Sequence, residues 1–415
     1  MKVTFVYCAV GVAGFNANRP PCDREGSWIG HGIASIAAST IMYGYEVNLI
    51  DLRRLSGWTE FIDQIKNNPA DVYGLSVAPV DYPHALMAVY NIKTTVPKAK
   101  IIVGGIHPSI FPMQYDFSVI DTIVVGEGEV TFPKLLKEID SLPRMVMGER
   151  PELDSLPYVA RQLFDYDAEM SCNFTPGQKT PSITMIAGRG CPYHCNYCQP
   201  AENAVFGSPY RMRSPENVVW EMEQLYETYL YKSVTFWDDT FTVSRKWVSE
   251  FCELWRETGI KASIAACSRA DIICHNEDMV EQLSEIGVDW FVIGLESGSQ
   301  RLLDLIKKGT TIEQNMKAAE ICRKHGIKIF GTYMYGLPTE TRKDSRMTYD
   351  MIQAINPEHK SPFWYTPIQG TGLYKICDDL DLIIDKDRGI ERTGHFIPTL
   401  RGVDYEYITT LMRCE

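Results

Sequence analysis

No run of eighteen consecutive apolar residues occurs in these 415 residues. The longest contender, GIASIAASTIM at 32–42, is too short to span a bilayer and contains Ser and Thr. A membrane-spanning helix is therefore not expected. Positive charge is scarce: 41 Lys and Arg stand against 53 Asp and Glu, a formal net charge of −12. That balance argues against nucleic acid as a partner. There is no internal repeat and no low-complexity tract. The opening MKVTFVYCAV lacks a signal-peptide layout and reads as a first strand, so a cytoplasmic location is expected. What is present is apolar material, 45% of the chain, enough for two or three packed domains.

Twelve cysteines in such a chain are thiols or metal ligands, not a disulfide framework. Nine are scattered singly. Cys8, Cys252, Cys267 and Cys322 lie in apolar or helix-like runs and read as core residues. The other three, Cys191, Cys195 and Cys198, are packed into GRGCPYHCNYCQP at 188–200, directly after a strand pattern. Three thiolates suit an iron–sulfur cluster or zinc. Zinc wants a fourth ligand, for which His194 or Cys172 are the available residues. His194 sits inside the ligating loop, however, and the second ligand pair of a zinc knuckle is missing.

Apolar runs alternate with amphipathic segments along most of the chain. Over residues 1–140 the strand candidates are 3–7, 46–50, 72–77, 100–104 and 121–125. Continuous apolar strands separated by helices predict a parallel sheet covered on both faces. Five such units fit a flavodoxin-like, doubly wound domain, which binds ligands beyond its carboxyl strand ends. Residues 141–180, with prolines at 143, 151, 157 and 176, read as a surface linker. A second alternation follows, with strands expected at 182–187, 233–237, 261–267, 289–295, 328–336 and 362–367. Six βα units over 181–375 predict a partial (β/α)6 TIM-type barrel. Residues 376–415 form a weakly patterned C-terminal segment.

The C-x3-C-x-aromatic-C spacing, with Tyr197 before the last cysteine, resembles the radical S-adenosylmethionine (SAM) superfamily. The resemblance implies that Cys191, Cys195 and Cys198 hold a [4Fe-4S] cluster whose fourth iron is chelated by SAM. It continues at successive strand ends. FWDDTF (236–241) stands where the superfamily has its Gly-Gly-Glu contact to the SAM amino group, here replaced by Asp238 and Asp239. CSRAD (267–271) offers Ser268 and Arg269, the latter suited to the SAM carboxylate. GLESGS (294–299) offers Glu296 for the ribose or amino group. MYGLPTET (334–341) and TPIQGTGLY (366–374) follow the fifth and sixth strands, and Tyr333, Tyr335 and Tyr365 are candidates for the substrate mouth.

A doubly wound domain ahead of such a barrel resembles the cobalamin-binding class. GLSVAP (74–79), GGIHPS (104–109) and VGEGEVTF (125–132) match its phrases, and LDSLP (153–157) resembles its linker. The resemblance spans roughly residues 1–375. It implies corrin and nucleotide-tail contacts from Ser76, Val77, Gly104, Gly105, His107, Gly126, Glu127 and Gly128, the small residues letting backbone approach the ligand. One phrase departs. Where methionine-synthase-type domains carry Asp-x-His-x-x-Gly, this chain has EGSWIG, with Ser27 at the ligand position. Serine is a poor cobalt ligand, and His31 is one residue into the helix, so no protein histidine is expected beneath cobalt.

The expected activity is transfer of a methyl group from methylcobalamin to an unactivated carbon after hydrogen abstraction by a 5′-deoxyadenosyl radical. The forty residues after the last barrel motif leave the mouth lightly covered, which suits a bulky substrate such as a residue of a protein or peptide. A small metabolite, lipid or tetrapyrrole is the alternative, as are ring formation without methyl transfer and a non-catalytic cobalamin or redox sensor. A flavodoxin- or ferredoxin-like electron donor is the implied partner.

Overall fold

The computed structural model describes residues 1–15, 29–173, 175–198, 201–207, 210–386 and 397–413. The described residues divide into two compact units: Met1–Cys172 with Ala201–Gly207, and the rest from Asn173 onward.

The first unit is built on strands β1 (Lys2–Tyr7), β2 (Glu46–Asp51), β3 (Val72–Ser76), β4 (Lys100–Gly104), β5 (Thr122–Val125) and β6 (Met145–Met147). All are parallel, in the order β2-β1-β3-β4-β5-β6. The first five reproduce the doubly wound order with its switch point between β1 and β3. Val3, Phe5, Val72, Ile101 and Ile123 are buried between the helical layers, which explains the continuous apolar runs.

The stretch expected to be a linker differs from that expectation over 141–172. It supplies β6, too short to show a pattern between Pro143 and Pro151. It is then tied down by buried ion pairs: Glu169 meets Arg54 at 2.6 Å and Arg53 at 3.3 Å, with Arg53 also on Asp51 at 2.7 Å. The compact unit accordingly runs to Cys172, past the expected boundary at 140.

The second unit holds β7 (Ser182–Met185), a short antiparallel pair of β8 (Gly188–Arg189) with β9 (Arg211–Met212), then β10 (Ser233–Phe236), β11 (Ser263–Ser268), β12 (Val288–Glu296), β13 (Lys328–Tyr335) and β14 (His359–Trp364). The large strands form an all-parallel six-stranded sheet, β14-β13-β12-β11-β10-β7, with a helix following each strand in the chain. This is the expected (β/α)6 arrangement. The C-terminal segment packs too: Leu373, Cys377, Ile383 and Leu400 form a buried cluster with Leu302, Leu303 and Tyr365.

Two barrel helices start with reciprocal caps. Thr311 Oγ1 accepts from Gln314 N at 3.2 Å while Gln314 Oε1 accepts from Thr311 N at 2.9 Å, opening Ile312–Lys324. Thr341 and Asp344 repeat the pattern ahead of Arg342–Ile355. Thr311→Ala and Thr341→Ala are each expected to lose about 1 kcal/mol of stability. Urea unfolding of the cofactor-free protein checks this, and unchanged midpoints would contradict it.

Candidate functional site

In the first unit, one narrow cavity of about 30 Å³ lies at the carboxyl ends of the central strands. Its walls include Phe5, Ile33, Ile36 and Phe132, and its floor is made by Gly74, Gly104, Gly105, Gly126 and Gly128 with Ser76. The glycines create the space. A Cβ on Gly74 would lie 2.7 Å from the Phe5 ring, and one on Gly128 would lie 2.9 Å from Ile36 Cδ1. Gly105 adopts φ +103° and leaves no room for a side chain beside Val77 N at 2.7 Å. A narrow apolar slot with exposed backbone fits a flat aromatic tail lying against the sheet, the shape of the cobalamin nucleotide.

Five expected contacts, Ser76, Gly104, Gly105, Gly126 and Gly128, line this cavity, and Gly74 joins them. Val77, His107 and Glu127 do not. Val77 is a buried brace: its N donates to the Gly104 carbonyl at 2.8 Å, and its own carbonyl accepts from His107 N at 3.0 Å. His107 points into an aromatic cage, stacked on Tyr82 at 4.2 Å with Nδ1 2.9 Å from Tyr115 Oη. Burial pulls its pKa down to about 4, so the ring is neutral. Glu127 is buried with its backbone against Gly148. Ser27 lies outside the described residues, and His31 begins the helix His31–Met42.

In the second unit the three cysteines share one loop, Cys195 buried, Cys191 half-buried and Cys198 exposed. No disulfide joins any of the ten described cysteines. Among the described residues no three His, Cys, Asp or Glu side chains are arranged around a single ion's position. His194 is exposed, and the Cys172 thiol donates to the Ala168 carbonyl at 3.4 Å. Three thiols on one loop are the donor set of an iron–sulfur cluster with one iron left open. The loop is pinned through Asn196, whose N donates to the Ile306 carbonyl at 2.8 Å and whose Nδ2 reaches the Leu305 carbonyl at 3.1 Å.

Beside the loop lies a buried charged cluster. Glu296 ends β12 at φ +59°, an unusual conformation for a side-chain-bearing residue, at an irregularity in the β12–β13 register. Its Oε1 accepts from Lys308 Nζ at 2.7 Å and from Tyr197 Oη at 2.9 Å. Burial, and then the charge of Glu296, hold the Tyr197 phenol protonated. Gly294 is required here, since a Cβ would sit 2.3 Å from Glu296 Oε1. Arg269 is buried, with its guanidinium 3.5 Å over the Tyr193 ring and paired with Asp271 at 3.0 Å.

Several residues expected at the SAM site are placed otherwise. The Asp238 carboxylate accepts from Ala187 N at 3.0 Å and from Gly188 N at 2.5 Å, clamping the strand that leads into the cysteine loop. Burial raises its pKa to about 7 against the pull of those two N–H groups. Asp239 is the exposed one of the pair. Ser268 is buried, its hydroxyl 2.7 Å from Thr242 Oγ1.

The three tyrosines are corrected as mouth residues. Tyr333 and Tyr335 are 0% exposed, on the strand face shared with Ile329 and Gly331, while Phe330, Thr332 and Met334 alternate on the half-buried face. Tyr365 belongs to the C-terminal core cluster. Lys308 went unnoticed because a lysine pair before a glycine reads as an ordinary solvated turn. Tyr193 carried the only visible signal, an aromatic inside the cysteine loop.

Comparison with known proteins assigns a domain type to each part of the chain. A radical SAM superfamily model matches residues 185–352, and a B12-binding domain model matches residues 23–136. An uncharacterized methyltransferase of Pyrococcus horikoshii is 26% identical over 403 residues, covering 92% of this chain and 85% of that protein. The anaerobic magnesium-protoporphyrin IX monomethyl ester cyclase of Rubrivivax gelatinosus is 27% identical over 332 residues, covering 72% of this chain but 58% of its own length. The solved structure of the cobalamin-dependent SAM radical enzyme OxsB with aqua-cobalamin superposes over all of this chain and 66% of its own, with TM-score 0.76 and 17% identity, a likeness of fold. These matches define an enzyme that joins iron–sulfur and corrin domains. The chain joins a B12-binding domain to a radical SAM domain and is a cobalamin-dependent radical SAM enzyme of the methyltransferase type, with a [4Fe-4S] cluster, SAM and cobalamin as its cofactors.

Two outcomes follow from the geometry. Lys308→Met leaves the Glu296 carboxylate buried without its cation and should destabilise the cluster-free protein by about 3–5 kcal/mol. Adding Glu296→Gln should recover much of that loss in denaturant unfolding, and additive losses would argue against direct coupling. For His107, the folded pKa lies below the unfolded value of about 6.5. Its contribution to stability is therefore complete above about pH 6.5 and lost as pH falls toward about 4. The wild type minus His107→Asn difference in urea midpoint should shrink over that window; a constant difference would show that the cage tolerates the imidazolium.

Proposed function

We propose that this protein is a C-methyltransferase that places a methyl group on an unactivated carbon of a bulky substrate, a residue of a protein or peptide. The carrying observation is the three-thiol loop at the barrel strand ends, fixed through Tyr197 to the buried Glu296 and Lys308, in a chain that also contains the glycine-floored cavity. When bound, the cluster with SAM supplies a 5′-deoxyadenosyl radical and methylcobalamin supplies the methyl group.

The protein's own part is placement. Cys191, Cys195 and Cys198 would hold the cluster. Glu296, fixed by Lys308 and Tyr197, presents a carboxylate to the amino or ribose groups of SAM, and the exposed Asp239 offers a second. Gly104, Gly105, Gly126, Gly128, Gly74 and Ser76 would take the nucleotide tail of cobalamin. Thr332, on the half-buried face of β13, replaces the tyrosines as a candidate substrate contact. Ring formation is the second reading, favoured by the similarity to the Rubrivivax cyclase.

Anaerobically reconstituted protein should carry about four irons per chain, and Cys191→Ala should lose them. Supplied with SAM bearing a deuterated methyl group, a reductant, cobalamin and extract of its own organism, it should label a protein with the deuterated methyl. A product that loses hydrogens and gains no methyl selects the cyclase reading. Gly104→Trp should still release 5′-deoxyadenosine yet give no methylated product. Normal methylation by that variant would remove the cavity from the cobalamin assignment.

A further inference from the structure

Arg269 was expected to grip the SAM carboxylate. The structure gives its guanidinium other partners. Nε donates to Asp271 Oδ1 at 3.0 Å, and Nη2 donates both to Asp271 Oδ2 at 3.3 Å and to the Lys308 carbonyl at 2.7 Å. Nη1 donates to Cys195 Sγ at 3.9 Å. One face of the guanidinium is covered by the Tyr193 ring, 3.5 Å away. A carboxylate is gripped bidentately by two parallel N–H groups. The Nε/Nη2 edge is already filled by Asp271, and the end-on edge is broken because Nη2 is turned to Lys308. Neither fork is open to a second carboxylate.

The same geometry aims a positive, 6% exposed group at one of the three cysteine sulfurs. We infer that Arg269 is a tuning residue of the cluster: its Nη1–H donates to the Cys195 thiolate and raises the cluster's reduction potential, while the SAM carboxylate is met elsewhere. The physical reason is charge balance. Reduction adds one electron to the cluster, and a cation or a hydrogen bond to a ligating sulfur stabilises that added negative charge. Burial keeps water from screening it. Asp271 offsets part of the charge and fixes the plane of the guanidinium, so the donor to sulfur is held in place. The Lys308 carbonyl fastens the other end, so the residue that holds Glu296 also holds Arg269. The inference rests on Cys195 being a cluster ligand.

The test is a redox titration of the reconstituted holoenzyme, followed by the EPR signal of the reduced cluster without SAM. Arg269→Gln should lower the equilibrium constant for reduction about tenfold, about 59 mV for a one-electron couple. Arg269→Lys, which keeps the charge, should recover at least half of that shift. SAM affinity, measured by equilibrium dialysis, should change less than threefold in both. An unchanged potential with SAM affinity lost more than tenfold overturns the inference and returns Arg269 to the SAM carboxylate. Should the variants fail to assemble a cluster, wild-type holoenzyme grown with arginine labelled with ¹⁵N in the guanidinium decides the matter. Its reduced cluster should show a weak ¹⁵N coupling from arginine before SAM is added, and a silent arginine overturns the inference alone. A wild-type chain that takes up no cluster at all overturns the cysteine assignment and this inference with it.

Discussion

The ion pair between Lys308 and Glu296 ties together three parts of the barrel that are far apart in sequence. The Lys308 ammonium holds the carboxylate at the end of β12, and the Tyr197 hydroxyl reaches the same oxygen from the cysteine loop. The Lys308 carbonyl holds the guanidinium that follows β11. All of this is buried, where two unpaired charges would each be strongly unfavourable. The cluster therefore has one low-energy arrangement. The backbone at Glu296 accepts a left-handed conformation to reach it, and Gly294 gives up a side chain to make room. The cysteine loop, which has little regular structure of its own, takes its position from this cluster and from Asn196 and Asp238.

The first unit solves a different problem by subtraction. A parallel sheet under helices normally fills its interior with branched side chains. Here the strands end in glycine at 104 and continue into glycines at 105, 126 and 128, and the packing layer stops short. What remains is backbone and the rings of Phe5 and Phe132. The cavity is a property of the sequence before it is a property of any ligand.

Much of this was legible from the chain alone, for reasons that can be named. Ten of the eleven expected strands lie within two residues of their expected bounds, most because they are continuous apolar runs; the sixth barrel strand, expected at 362–367, runs His359–Trp364 because its first three residues, HKS, carry no apolar signal. The β6 strand and the β8–β9 pair were invisible, being three and two residues long. The cysteines, Tyr197, Glu296 and the cavity glycines could be read because spacing or backbone freedom marks them. Lys308 could not, because its partner is fixed only by folding. Ser268, Tyr333 and Tyr335 were misplaced for a shared reason: a strand-end motif gives the position of a residue but not the face its side chain takes, and one step along a strand reverses that face.

The division of the chain has a consequence for anyone who would take it apart. Residues Ala201–Gly207 follow the last clustered cysteine by only a few positions, yet they count with the first unit, where their helix Ala201–Phe206 packs on Ile106–Ile110 and the Val205 carbonyl lies 3.5 Å from where a Gly126 Cβ would be. No single cut in the polypeptide separates the two halves cleanly. A fragment ending at Cys172 lacks a helix that borders its own glycine loop. A fragment starting at Asn173 carries that helix without the surface it covers. The two halves are thus interleaved in the covalent chain.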